Sequence, residues 1–395
     1  MMKKLLMLGG GFLQSFVIKK ARGLGYYVYC LDANPNAGGF QFANESAVIN
    51  IVDEEACLAY AREKKIDGVL TAATDYSVLT MSRIATELGL PGINYDSAQL
   101  IKNKASVRKV LFDTKADDTG YSHIIDSVER AQQIREEVIY PVMVKPCDGS
   151  GSRGAARVDS SDQFVNACEV AIGCSISRRA VAEPFVVGRE YGVESFVNNG
   201  DIHILAVMQK DMTLPPYYAE LGHAIPSGLS EDLEQKVKSC VRKALIAMGV
   251  NHGSVNMDLL INDRGDVHII DVGARMGGNL IGSHIIPLGT GVDYMRNMIK
   301  AAVGDPVDFT PSTNGVPVAT RLLALAPGIV DILPDFVKIE ETYKVAIEHH
   351  LAVGDTINEY HTNLDGCGYV VATGNDAKAI AEKVKVLIDN SIVRS

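Results

Sequence analysis

Short apolar runs alternate with stretches of three-to-four-residue periodicity over the first hundred positions. KLLMLGG (4–10), YYVYCLD (26–32), SAVINI (46–51) and DGVLTAA (67–73) have the length of strands. Between them, FLQSFVIKKARGLG (12–25), EEACLAYAREKK (54–65) and VLTMSRIATELGL (78–90) space their apolar residues as helices do. Strand and helix in turn, with short connections, predict a parallel α/β sheet that ends near Pro91-Gly92.

A helix is expected next, from Asp96 as N-cap to about Leu111. The pattern then changes. HIID, PVMVKP, GAARV and RRAVAEPFV, set around a helical stretch near 161–172, predict a small α+β unit. From position 190, EYGVESFVN and DIHILAVMQ are joined by Asn198-Asn199-Gly200, a strong hairpin signal. A helix from Ser230 to Met248 precedes a second hairpin, SVNMDLLI with DVHIIDV, and the remaining residues add short strands and the helix AKAIAEKVKVLI. These shifts divide the chain at 1–95, 96–187, 188–308 and 309–395.

Composition narrows the class. Apolar residues at 47% and charged residues at 22% are those of an ordinary globular protein, and 395 residues are too many for one core. The formal net charge of -10 argues against nucleic acid as a partner, because phosphate backbones are held by clustered Lys and Arg. The seven cysteines are scattered without a CxxC pair, which is the usage of reduced thiols in a cytoplasmic protein. MMKKLLMLGGGFLQSF starts like a secretory leader, but Gly9 to Gly11 and Gln14 interrupt its apolar run. No apolar stretch reaches the roughly 18 residues of a membrane span.

Candidate chemistry begins with Gly9-Gly10-Gly11, which follows a strand and enters a helix, with Asp32 closing the next strand. This is nearly a dinucleotide fingerprint, yet Gln14 stands where the third glycine belongs, and a plain tight turn fits as well. In MVKPCDGSGSRGAARV the order is the reverse of a Walker loop: Lys145 comes first, on a strand, and Gly149, Ser150, Gly151, Ser152 and Gly154 follow. Backbone N–H groups and hydroxyls of such a flap can fold over phosphate oxygens while Lys145 supplies a point charge. Glu183 ends a strand and Glu190 starts the next, an arrangement open to a flat heterocycle and a ribose, or to two surface glutamates at a turn.

In the second hairpin a turn centred on Asp263-Arg264 pairs Leu260 with Val267, Asp258 with Ile269 and Asn256 with Asp271. Asn256, Asp258 and Asp271 then share one face, and Val255, Met257, Leu259, Ile270 and Val272 the other. Asp258 and Asp271 become diagonal neighbours roughly 7–8 Å apart at the backbone. Two carboxylates so close repel unless neutralised, and Mg²⁺ bound to phosphates would neutralise them.

With these residues in place the chain resembles the ATP-grasp family, which includes biotin carboxylase, D-alanine ligase and the carboxylate-amine ligases of purine and dipeptide synthesis. The likeness is most specific over 100–280. It implies a Rossmann-like domain over 1–95, a lid over 96–187, a core with the metal site over 188–308 and a small C-terminal α+β part over 309–395. It further implies that Lys104 and Lys145 contact ATP phosphates under the closing 149–154 loop. Glu183, Phe185 and Val186 would form the hinge against adenine and Glu190 would hold the ribose. Asp258 and Asp271 would bind Mg²⁺ or Mn²⁺, and Arg275 would face an acyl phosphate. Many members carry Asn two residues after the second metal carboxylate, where this chain has Gly273; Asn256 is open either as a substitute or as a structural residue. Arg275 alternatively pairs with Asp271.

The implied reaction is activation of a small carboxylate as an acyl phosphate for attack by an amine. GHAIPS and DVGARMGG resemble dipeptide-forming ligases, which makes an L-amino-acid or peptide ligase the leading expectation and His223 a candidate to orient the amine or take its proton. Arg321 is a weaker candidate as a carboxylate anchor. A carboxylase or purine-pathway ligase, a non-catalytic ATP-binding protein and a nicotinamide-dependent enzyme are the alternatives. A homodimer through the N-terminal domain is implied only by the likeness.

Overall fold

A computed structural model describes residues 2–148, 154–214 and 217–395. Gly149, Ser150, Gly151 and Ser152, the central residues of the expected flap, lie outside them. β1 (Lys4–Leu8), β2 (Tyr27–Asp32), β3 (Glu45–Val48) and β4 (Gly68–Thr71) form a parallel sheet in the order β3-β2-β1-β4. β1 and β4 read as unbroken apolar runs because helices cover both faces of such a sheet.

The single helix expected from Asp96 is two, Tyr95–Lys102 and Lys104–Thr114, and the first is capped by Asn94 rather than Asp96. The break falls at Asn103, whose Oδ1 accepts from the N–H groups of Ala105 and Ser106, both at 3.1 Å. A short side chain that satisfies two free N–H groups competes well with continuing the helix. Lys104 therefore opens a helix, and its N–H donates to the Cys147 carbonyl at 2.7 Å.

β5 (His123–Ile125), β6 (Val142–Pro146), β7 (Ala156–Val158) and β8 (Ala180–Pro184) make an antiparallel sheet in the order β5-β8-β6-β7. Val142, Val144, Ala180 and Ala182 are buried in one cluster with Phe164 and Ala171 of the helix Ser161–Cys174. Strand alternation sends Lys145 and Glu183 to the opposite face.

The central sheet is antiparallel and spans both remaining divisions of the chain. It contains β9 (Arg189–Asn198), β10 (Asp201–Met212), β11 (Glu220–Ile225), β12 (Gly253–Ile261), β13 (Val267–Gly273) and β14 (Val318–Leu322). After β15 (Gly328–Ile332), β16 (Ala346–His349), β17 (Thr356–Ile357) and β18 (Gly368–Thr373), the order across the sheet is β13-β12-β9-β10-β11-β14-β18-β16. The C-terminal residues thus extend the core sheet. Asn199 and Gly200 at the β9–β10 turn both have positive φ, as a two-residue hairpin turn requires.

The β12–β13 register differs from the sequence reading. Asp258 lies directly opposite Asp271 and Asn256 opposite Gly273, while Leu259 faces Ile269. Two steps make the shift: the turn is one residue longer than expected, pairing Ile261 with Val267 and Leu260 with His268, and a bulge with Ile270 as the extra residue then slips the pairing by one more position. Ile269, not Ile270, consequently joins the core.

The candidate nucleotide and metal cleft

The bulge sets the first part of the site. At the bulge the Lys145 ammonium donates to the Ile270 carbonyl at 3.0 Å while meeting Glu183 Oε1 at 2.5 Å. Arg108, one turn after Lys104 on the same helix, reaches the Ile269 carbonyl, Glu183 at 3.4 Å and Asp117 at 3.5 Å. Burial pulls the Lys145 pKa down, as do the neighbouring Lys104 and Arg108 charges, with Glu183 opposing. An anion bound there would relieve that penalty. Glu183 is consequently not a free group for adenine; it is 5% exposed and holds two cations in place. Phe185 donates its N–H to the Pro141 carbonyl and carries Arg157 over its ring, and with Val186 it leads from β8 into β9.

Lys104 contacts Asp271, and both line an open cleft with Asp75, Asn256, Asp258 and Arg275. Burial works against the Asp271 charge, but Lys104 prevails and its carboxyl falls to about 2. The other metal candidate is neutralised differently. Asp258 lies 2.9 Å from the Lys210 ammonium, which also meets Glu220 at 2.5 Å and Glu190 at 3.6 Å. Burial opposes the Glu220 charge, yet Lys210 holds that carboxyl well below its usual range. Burial raises Asp258, and raises Glu190 to about 7.

Among the described residues no group of three or more His, Cys, Asp or Glu is arranged around a metal position. Two opposed carboxylates on one cleft wall fit Mg²⁺, which is commonly held by one or two carboxylates together with substrate phosphates. Their present counterions are ammonium groups, which a divalent cation can replace.

Arg275 does not pair with Asp271. It pairs with Asp75, in the loop that follows β4: Nη2 donates to Oδ2 at 3.0 Å and Nε lies 3.0 Å from Oδ1. The same contact explains Gly273: a Cβ there would lie 2.9 Å from the Arg275 guanidinium carbon and 2.9 Å from Asp75 Oδ1. Asn256 is committed as well, its amide donating to Glu194 at 2.9 Å. His223 sits across from Lys210 on β11, but it is 3% exposed, so it does not reach substrate in this arrangement. Burial lowers its pKa to about 4. Arg321 pairs with Glu382 at 2.5 Å.

The sequence reading passed over Lys210, Glu220, Arg108 and Asp75, and over the residues that fasten Glu220. Asn279 and Asn363 both donate to its carboxylate, the latter at 2.7 Å, and Tyr360 donates to its carbonyl. Gly154, by contrast, was in the quoted motif, and its φ of +76° with Cys174 Sγ 2.9 Å from a built Cβ requires glycine. At the N-terminal turn, Asp32 accepts from the Gly10 and Asn34 N–H groups, each at 2.8 Å. Both its oxygens are thereby engaged in holding the turn, as the structural reading of the triplet expects.

Residues 138–283 match the family model of the ATP-grasp domain. The chain thus contains an ATP-grasp domain over that segment. An uncharacterized protein of Sinorhizobium fredii is 26% identical over 335 residues, which cover 83% of this chain and 68% of that one. Carnosine synthase 1 of Homo sapiens is 24% identical over 331 residues, 76% of this chain; the match spans 40% of the human protein, so this chain corresponds to less than half of it. Among solved structures, the L-amino acid ligase from Bacillus licheniformis superposes with a TM-score of 0.83 at 21% identity, covering 100% of this chain and 99% of the other. That likeness establishes the two-lobed ATP-grasp fold with its N-terminal α/β domain over the whole length. No helix among the described residues is long and apolar enough to cross a membrane.

Proposed function

We propose that the protein is an ATP- and Mg²⁺-dependent ligase that activates a small carboxylate and joins it to an amine, most like an L-amino-acid or peptide ligase. The observation that carries this reading is the convergence of Lys104, Lys145, Asp258, Asp271 and Arg275 on one cleft and its rim from three parts of the chain. The relatives named as a carnosine synthase and an L-amino acid ligase support the amine as acceptor.

In this reading the protein's work is positioning and charge neutralisation, which is most of what phosphoryl transfer requires. Lys104 exchanges Asp271 for phosphate oxygens, while Lys145 adds a phosphate oxygen to the Glu183 and Ile270 carbonyl contacts that keep its ammonium aimed. Asp258 and Asp271 would hold the metal, which would supply positive charge against the phosphates. Phe185 and Val186 border the adenine, and Glu190, whose carboxyl burial raises to about 7, takes the ribose hydroxyls. Arg275, released from or shared with Asp75, faces the oxygen that gains charge as the activated carboxylate is attacked.

The test is ADP release with Mg²⁺ and ATP over a panel of single carboxylates and carboxylate-amine pairs, with Asp271→Asn as the control. Turnover that needs a particular pair and vanishes in the variant is the expected result. ATP binding with no turnover across the panel would replace the ligase by a nucleotide-binding protein without catalysis.

A further inference from the structure

Glu194, on β9, has no exposed surface, and what answers its carboxylate is a set of hydrogen bonds. Tyr294 O–H donates to it at 2.6 Å, the Asn256 amide at 2.9 Å and the Gly277 N–H at 3.2 Å. Taking a carboxylate wholly out of water costs several kcal/mol, which an apolar residue of the same volume would not incur. Two of the donors belong to the cleft segments. Asn256 is two residues before Asp258, and Gly277 stands midway between Arg275 and Asn279.

The turn that contains Gly277 is built to close tolerances. A Cβ at Gly277 would lie 2.9 Å from both Asn256 Nδ2 and Glu194 Oε2. Asn279 and Leu280 have φ of 52° and 60°, a conformation non-glycine residues hold only where their surroundings impose it. Asn279 is 6% exposed, donates to Glu220 and accepts from the Tyr369 hydroxyl at 2.8 Å. The turn is therefore fastened at Asp75 through Arg275, at Glu194 through Gly277, and at Glu220 through Asn279.

We propose that Glu194 is a positioning residue: by holding the Gly277 N–H from within the sheet it fixes the 275–280 turn, and with it the Arg275 guanidinium and the Asn279 amide at the cleft. Its value for catalysis rests on the ligase reading of Arg275; its hold on the turn does not. Glu194→Gln keeps the size but places an amide N–H₂ among three donors, so that one of the hydrogen bonds to this side chain must be given up.

Hydrogen exchange read by mass spectrometry, calorimetric MgATP binding and ADP release are measured on wild type, Glu194→Gln and Tyr294→Phe. In Glu194→Gln, peptides over 273–282 should exchange roughly tenfold faster or more, the scale of one hydrogen bond to a charged group, while those over β10 keep their rates. MgATP affinity should stay within about twofold and saturating ADP release should fall roughly tenfold. Tyr294→Phe, which leaves the Gly277 bond intact, should keep the exchange at 273–282. Unchanged exchange over 273–282 in Glu194→Gln, or faster exchange spread evenly over the sheet, overturns the proposal. Should wild type bind MgATP yet release no ADP with any pair, the ligase reading fails, and the exchange rates alone decide whether Glu194 holds the turn. If Glu194→Gln does not fold, Gly277→Ala, which forces the turn off Glu194 from the other side, is put through the same measurements with the same expectation.

Discussion

Lys210 shows how much of the site's charge balance rests on one residue. Its side chain is 1% exposed and it is the shared cation of Glu190, Glu220 and Asp258. Lys210→Met preserves the stem and removes the charge, leaving a group of buried carboxylates uncompensated, a change that typically costs about 3 kcal/mol or more. Because a divalent cation at Asp258 supplies positive charge to the same group, added Mg²⁺ should raise the melting temperature of the variant more than that of wild type. Thermal unfolding with and without Mg²⁺ checks both statements, and equal melting temperatures in metal-free buffer would show that the carboxylates do not depend on Lys210. In the sequence, Lys210 is one charged residue at the end of a strand, and its importance lies in partners on three other strands. Gly273 is a similar case. Its departure from the usual Asn was visible in DVGARMGG, but its cause, the Arg275–Asp75 pair, involves a residue from the N-terminal domain.

At the scale of elements, the periodic patterns anticipated the parallel N-terminal sheet, the lid sheet and both hairpins, because each rests on local alternation. The β12–β13 turn is one residue longer than alternation suggested, and two further features escaped, both of which aim site residues. The β13 bulge is invisible to alternation, since an extra residue leaves the composition of the strand unchanged while it turns Ile270 out of the core. The helix break at Asn103 was hidden by an apolar period that runs on through it. Asn103→Ala removes the acceptor for Ala105 and Ser106 and should cost about 1 kcal/mol, the usual value of an N-cap. It should also weaken MgATP binding severalfold, because the start of that helix is what presents Lys104 to Asp271. Denaturant unfolding combined with calorimetry separates the two effects. A loss of stability with unchanged nucleotide affinity would mean that Lys104 is aimed by its Cys147 contact alone.

For the whole molecule, the decisive contacts join stretches far apart in sequence, which is why the division into four parts was easier to draw than the site was to assemble. The family match ends at 283, yet Glu220 is fastened by Tyr360 and Asn363, and Arg275 by Asp75. Core clusters likewise run from Leu6 and Leu8 of β1 to Val193, Val255 and Met257 of the central sheet. A shared core of this kind makes the N-terminal domain and the central sheet one cooperative unit rather than two tethered ones. The Asp75–Arg275 pair offers a direct measure of that coupling. It has one direct hydrogen bond and its side chains are only 31% and 16% exposed, so it belongs between a weak surface pair and a fully buried one. A double-mutant cycle of Asp75→Ala and Arg275→Ala should return an interaction of roughly 1–2 kcal/mol, and every member should unfold in a single transition. An interaction near zero, or separate transitions for the two parts, would mean that Arg275 is already free to turn toward substrate and that the N-terminal domain does not restrain it. On the ligase reading, a sizeable interaction would mean that Arg275 must leave Asp75 to reach substrate, so that Asp75→Asn should raise kcat, and a fall in kcat would show that the pair instead keeps the guanidinium aimed.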